Sequence, residues 1–159
     1  MQVIIEAKGL EKVQEILSTL RKKGEDTAPL MAELANHLYA ISDESFEKEE
    51  SPDGISWDPI QYRKDDKNPN KILRDSGDMQ DSLMQQSSSD EAIVGLNVVS
   101  EDGFEYPLTH QFGTNNAWGR GITIKARPIF PIHKDGTIYE ETIKELEEIA
   151  EDYIQEVLK

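Results

Sequence analysis

Apolar residues recur at helical spacing in three places along the chain. Leu10, Val13, Leu17 and Leu20, with Ile16 beside them, predict a first helix that Lys23 and Gly24 close. Leu30, Leu34, Leu38 and Ile41 form a second stripe, with Asp26 or Thr27 placed to cap it and Pro29 tolerated in its first turn; it should continue to about Phe46. The clearest helix is the last, where Ile143, Leu146, Ile149, Ala150, Tyr153, Ile154, Val157 and Leu158 repeat every three or four residues. Period-two and β-branched runs are shorter. Residues 3–7 suit a strand, residues 82–86 offer another, and Ile93, Val94, Leu96 and Val98 predict a largely buried strand over 92–99, with Gly95 marking a bulge or a close approach. Turn clusters separate them at 51–54, 87–90 and 100–103. Residues 72–83 restart order after the polar link 63–71, with Asp78 as a helix cap, and Trp57 reads as a plug at the edge of a core. The pattern predicts one α+β domain over residues 1–159: a small, mainly antiparallel sheet packed with two N-terminal helices and one long C-terminal helix.

Charge changes this picture. The 159 residues carry 32 Asp and Glu against 17 Lys and Arg, a formal net charge of -15. Such a field repels phosphate backbones, so sequence-specific or general nucleic-acid binding by the whole surface is not expected. There is no cysteine, and the first residues show neither a basic leader nor a long apolar run, so a soluble intracellular chain without a membrane partner is expected. Against that acidity, residues 106–134 contain no Asp or Glu at all, but hold Arg120, Lys125, Arg127, Lys134 and two of the three histidines. The stretch opens with a helical turn over residues 106–112 that Gly113 stops, continues as a loop over 113–121, and ends in a short strand at 122–124 followed by an extended run through Pro128 and Pro131.

Within it, Trp118 has no evident core to join, and an aromatic beside Arg120 has the composition of an interface anchor. A Trp folded back on its own loop is the competing reading. Arg127 precedes a proline, so its direction is set by the backbone and it can hold a carboxylate, either within the fold or across an interface. Trp118, Arg120, Lys125, Arg127 and Phe130 are therefore the candidate interface residues.

Catalytic frames are not recognisable. Histidines 37, 110 and 133 lack the spacing of a zinc helix, the serines lack a nucleophile elbow, and GTNNAWGRG has glycines but no phosphate-cradling Gly-Lys-Ser or Gly-Lys-Thr ending. His110 is read as a partly buried histidine, and the carboxylates of the last helix as a solvated face. Neither an enzyme nor a cofactor or metal is expected.

One ordered set of short motifs is more specific. It comprises Pro52, Gly54, Trp57 and Pro59, then Ile72 to Gly77 with Met79 and Ser82, then Val94 and Gly95, then Tyr106 with His110, Gln111, Phe112 and Gly113, and last Ala126, Arg127 and Pro128. In order and spacing it resembles the phage virion morphogenesis family, the tail completion proteins of Mu-like and P2-like contractile-tailed phages. Pro107, Lys125 and Ile129 depart from the family pattern. The resemblance implies a non-enzymatic structural protein, without cofactor, that completes the head-proximal end of a phage or prophage tail or joins tail to head. Its partners would be tail-tube and neck proteins, and its place the bacterial cytoplasm during assembly and then the virion. A head-tail connector or minor capsid component is the alternative within phage assembly, and an acidic DNA-mimic inhibitor the alternative outside it. If copies form a closed ring, each contact is heterologous, and the basic aromatic stretch of one subunit would meet an acidic surface, such as the last helix, of the next.

Overall fold

A computed structural model describes residues 7–60, 71–74 and 76–159. Among them the order is α1 (Glu11–Lys22), α2 (Ala28–Lys48), α3 (Asp78–Asp81), β1 (Leu83–Ser87), β2 (Ala92–Leu96), α4 (Tyr106–Phe112), β3 (Thr114–Ala117), β4 (Ile122–Ile124) and α5 (Glu140–Val157). The class is α+β with a long C-terminal helix, and the described strands form two separate two-stranded sheets, β1-β2 and β3-β4. The strand expected at 3–7 and nearly all of the link at 63–71 lie outside the described residues.

The chain divides into two units. The first is drawn from Met1–Leu38, Gln85–Ile93 and Ile132–Lys159. Its core joins the three periodic stripes: Val13, Leu17 and Leu20 of α1, Leu30, Met31 and Leu34 of α2, and Leu146 and Ala150 of α5, together with Ile138. Helix α5 packs along α1, with Lys12 paired to Glu151 at the rim. His37 of α2 meets Glu145 of α5 at 2.7 Å, and the Tyr153 hydroxyl donates to the Asp26 carbonyl at 3.0 Å. The Asp26 side chain accepts the Ala28 N–H at 3.0 Å, which satisfies one of the open donors at the start of α2. The solvent side of α5 carries exposed Glu148, Asp152 and Glu156 at four-residue spacing. Leu20 is fully buried. Leu20→Ala is expected to cost about 2–5 kcal/mol, the usual range for an unfilled leucine cavity, measured by denaturant unfolding followed by far-UV circular dichroism.

The second unit is drawn from Tyr39–Met84 and Val94–Pro131. Its core holds Phe46, Trp57, Ile72, Met79 and Ile129, with Leu73, Leu96, Val98, Tyr106 and Phe130 packed against it. Trp57 meets the Phe46 ring edge-on at 6.1 Å, so the plug predicted for it is real. Its loop is tied by Ser51, whose N–H and hydroxyl both donate to the Ile55 carbonyl, at 2.8 and 3.0 Å.

Several local expectations change. Residues 92–99 are not a largely buried strand: β2 ends at Leu96, Ile93 is 43% exposed and Val99 55% exposed. A strand with a single neighbour among the described residues leaves part of its apolar surface uncovered. Gly95 has no atom within 4 Å of an added Cβ, so it does not mark a close approach. Asp78 is the first helical residue of α3 rather than its cap; the cap position is Gly77, at φ 90°.

Candidate functional site

The family-type motifs meet in the second unit. Helix α4 is short, begins with Pro107 in its first turn, and is stopped by Gly113. Gly113 has φ 71° and ψ 171°, an extended conformation at positive φ that is essentially closed to other residues. It turns the chain directly from α4 into β3, with the backbone of Ile124 and Ala126 passing alongside: a Cβ at this position would lie 2.9 Å from the Ala126 nitrogen and 3.0 Å from the Ile124 oxygen.

Two consecutive residues of α4, His110 and Gln111, are thereby brought against the extended run after β4. The His110 carbonyl accepts the Arg127 N–H at 2.6 Å. The Gln111 side chain, 5% exposed, does more: its oxygen accepts the N–H groups of Ile129 at 2.8 Å and Phe130 at 2.9 Å, while its NH2 donates to the Phe130 carbonyl at 2.9 Å. Prolines 128 and 131 keep this run out of a regular ladder, and one amide takes the ladder's place. Gln111 thus closes the backbone of Ile129, which is fully buried in the core.

The same run is held from its other side by the Trp57 loop. The Trp57 indole N–H donates to the Pro128 carbonyl at 3.1 Å. Arg127 answers in reverse, its Nε and Nη2 both donating to the Asp58 carbonyl at 3.1 and 3.0 Å, and Nη2 also reaching Pro59 O at 3.4 Å. Lys125 pairs with the Asp58 carboxylate at 3.0 Å. A two-pronged grip by Arg127 is therefore found inside the chain, with the Asp58 carbonyl as its acceptor among the described residues. Phe130 and Tyr106 pack against the core, and burial raises the Tyr106 hydroxyl above its ordinary pKa, with Asp78 adding to the effect.

Between Gly113 and Gly121 the structure has a hairpin where a loop was expected. Strand β3 pairs antiparallel with β4, Thr114 opposite Ile124 and Ala117 opposite Ile122, with an irregularity between. The Asn116 side chain accepts the Gly121 N–H at 2.8 Å and closes the tip. Trp118 stands at this tip with φ 53° and is 49% exposed; its ring lies against Phe104 at 4.8 Å. It neither enters the core nor stands alone. Ile122 is 44% exposed, and Arg120 and Lys125 are exposed beside it. The structure therefore sorts the candidates in two: Trp118, Arg120 and Lys125 are on the hairpin surface, whereas Arg127, Phe130, Tyr106, Gln111 and Pro128 are bonded or packed within the unit. Sequence reasoning missed Asp58, Phe104 and Asn116. An Asx-type residue just before a glycine-rich tip was a usable signal for Asn116; nothing in the pattern pointed to the other two.

Phe104 is held by its own turn. Its N–H donates to the Ser100 hydroxyl at 2.9 Å and to Asp102 at 3.2 Å. The Ser100 hydroxyl, then the Phe104 N–H, and at longer range the Arg120 charge, hold the Asp102 carboxyl below its ordinary pKa. A depressed carboxylate stabilises the fold above its unfolded pKa, about 3.9 for Asp, and loses that contribution as pH falls through the lower folded value. In a Trp57→Phe protein, whose emission reports Trp118, the Phe104 contact is expected to loosen only below that pH, seen as a red shift.

Among the described residues no group of three His, Cys, Asp or Glu could hold a metal ion, and no helix is long and apolar enough to cross a membrane. No solved structure matches the chain. The chain is 30% identical over 122 residues to the Mu-like prophage FluMu G protein 2 of Haemophilus influenzae, an alignment covering 75% of this chain and 78% of that protein. The profile described as the phage virion morphogenesis family matches residues 9–155, which include every element of the brace and the hairpin. The chain belongs to the phage virion morphogenesis family, and its role lies in the morphogenesis of a phage or prophage virion.

Proposed function

We propose that the chain is a structural, non-catalytic protein that completes the head-proximal end of a tail, or joins that end to the head, in a Mu-like phage or prophage. The observation that carries this reading is the brace itself. Trp57, Arg127 and Gln111, all within the motif set, direct polar groups to backbone carbonyls and amides of the described residues. Such an arrangement makes a rigid support, and what it supports is a hairpin that presents an aromatic and basic tip. Rigid presentation of a Trp and an Arg suits protein recognition. The partners in this reading are tail-tube and neck proteins and further copies of the chain arranged in a ring, assembled in the bacterial cytoplasm and retained in the virion.

An in-frame deletion in an inducible phage or prophage tests it. Electron microscopy of the induced lysate should show filled heads and full-length tails that are not joined, and the same gene supplied in trans should restore joined particles. Normal joined virions in the deletion lysate would refute the reading.

A further inference from the structure

The hairpin tip has a half-exposed Trp118 at positive φ, with Gly119 at φ 67° and Gly121 at φ 68° beside it. A tryptophan held in left-handed backbone is strained, and here its ring lies against Phe104 and outside the core. Among the described residues its indole N–H has no acceptor. Arg120 presents a guanidinium beside it, and the tip belongs to the acid-free stretch of a chain whose net charge is -15. The nearby acids are Asp102, which feels the Arg120 charge, and Asp58, which pairs with Lys125. Exposed pairs of this kind are weak and readily exchanged for other carboxylates.

The complementary surface is on the same chain. Glu148, Asp152 and Glu156 make one exposed row along α5, and among the described residues none of them has a cation within ion-pair distance. Like charges four residues apart repel one another along a helix. The two surfaces match in kind: the tip supplies N–H donors and positive charge, and the row supplies acceptors and negative charge.

We propose that the β3-β4 tip of one copy, through Trp118 and Arg120, docks on the Glu148, Asp152 and Glu156 row of α5 in a second copy. The contact is heterologous, so each copy uses both surfaces and the chain of contacts closes into a ring or continues. It deepens the structural role proposed above by naming the surfaces through which copies associate, and it rests on that reading only for its setting.

Sedimentation velocity on the purified full chain tests the contact. At low salt the protein should associate, and high salt should weaken that association. Arg120→Glu and the pair Glu148→Lys with Asp152→Lys, all at exposed positions, should each weaken it at least tenfold while circular dichroism stays unchanged. Because one variant carries two acidic surfaces and the other two basic ones, mixing them should recover association. Trp118→Ala should weaken it without changing the salt dependence. A wild-type protein that stays monomeric, reversals that leave association intact, or a mixture that fails to recover would overturn the proposal. Unjoined heads and tails in the deletion lysate together with any of these results would leave the tail role standing and remove this contact alone.

Discussion

Replacing Gln111 by Leu is expected to remove about 3–5 kcal/mol from the stability of the second unit. Leucine has a comparable volume although it branches one bond earlier, so the loss comes chiefly from hydrogen bonding. Three backbone groups lose their partner at once: the N–H groups of Ile129 and Phe130 and the carbonyl of Phe130. Each buried polar group left without a partner costs about 1–3 kcal/mol, and partial access of water to the less buried Phe130 lowers the sum. A whole domain is commonly stable by only about 5–15 kcal/mol, so this one change should bring the unit close to unfolding. Both tryptophans, Trp57 and Trp118, belong to that unit, and their fluorescence during urea unfolding follows it specifically. Gln111→Glu separates the two halves of the clamp. A carboxylate still accepts the two N–H groups but turns a charge toward the Phe130 carbonyl, whereas the protonated acid can donate to it. The Gln111→Glu deficit should therefore shrink as pH falls through the carboxyl range, because the neutral form is the one the site favours. A loss below about 1 kcal/mol in Gln111→Leu, the size of a single net hydrogen bond, would contradict the role assigned to the amide.

Gly113→Ala should be about as damaging, for a different reason. The backbone there lies at φ 71° and ψ 171°, where a side chain costs about 1–3 kcal/mol. The added Cβ also meets the Ala126 nitrogen at 2.9 Å and the Ile124 oxygen at 3.0 Å. Both are backbone atoms, so no rotamer change relieves the clash, and overpacking of this kind adds about 1–3 kcal/mol. The expected total is about 3–5 kcal/mol by the same fluorescence measurement. Gly119→Ala is the control. Gly119 also has positive φ, 67°, but an added Cβ there meets nothing within 4 Å, so only the conformational cost, roughly 1–2 kcal/mol, should appear. Equal losses at the two positions would show that the close approach of the 124–126 backbone does not matter.

These two residues show how far the sequence could be read. The three amphipathic helices were legible because their apolar stripes repeat over several turns, and the observed cores use those stripes. The stop at Gly113 was legible as well, since glycine is what a chain needs where φ turns positive. Its second duty, making room for the backbone of Ala126, was not, because that neighbour is distant in sequence. Strand β3 was missed for a related reason. Asn115 and Asn116 have poor strand propensity, and pairing with Ile122 to Ile124 imposes the extended form that their local preference opposes. Strand β2 failed in the other direction: its apolar composition suggested burial, but composition does not state how many neighbours a strand will have.

The candidate site was legible as a stretch and only partly as a mechanism. A run without acids in so acidic a chain pointed to residues 106–134, which hold α4, the hairpin and the extended run. Arg127 and Phe130 were grouped with Trp118 and Arg120 as interface residues, since all share that composition, yet Arg127 and Phe130 are engaged inside the second unit. What separates them is engagement by residues distant in sequence: the Asp58 and Pro59 carbonyls hold the Arg127 guanidinium, and Gln111 holds the Phe130 backbone. Sequence order alone does not carry that information.

The central claim, that this protein acts at the head-proximal end of the tail, is tested most directly by locating it. A tagged copy on purified tails and on whole virions can be labelled with gold and viewed by electron microscopy. A single cluster of label is expected at the tail end that meets the head, present on free tails as well as on virions. Label spread along the tail, at the distal tip, or on heads with bare tails would contradict it, the last outcome indicating a connector or capsid component instead.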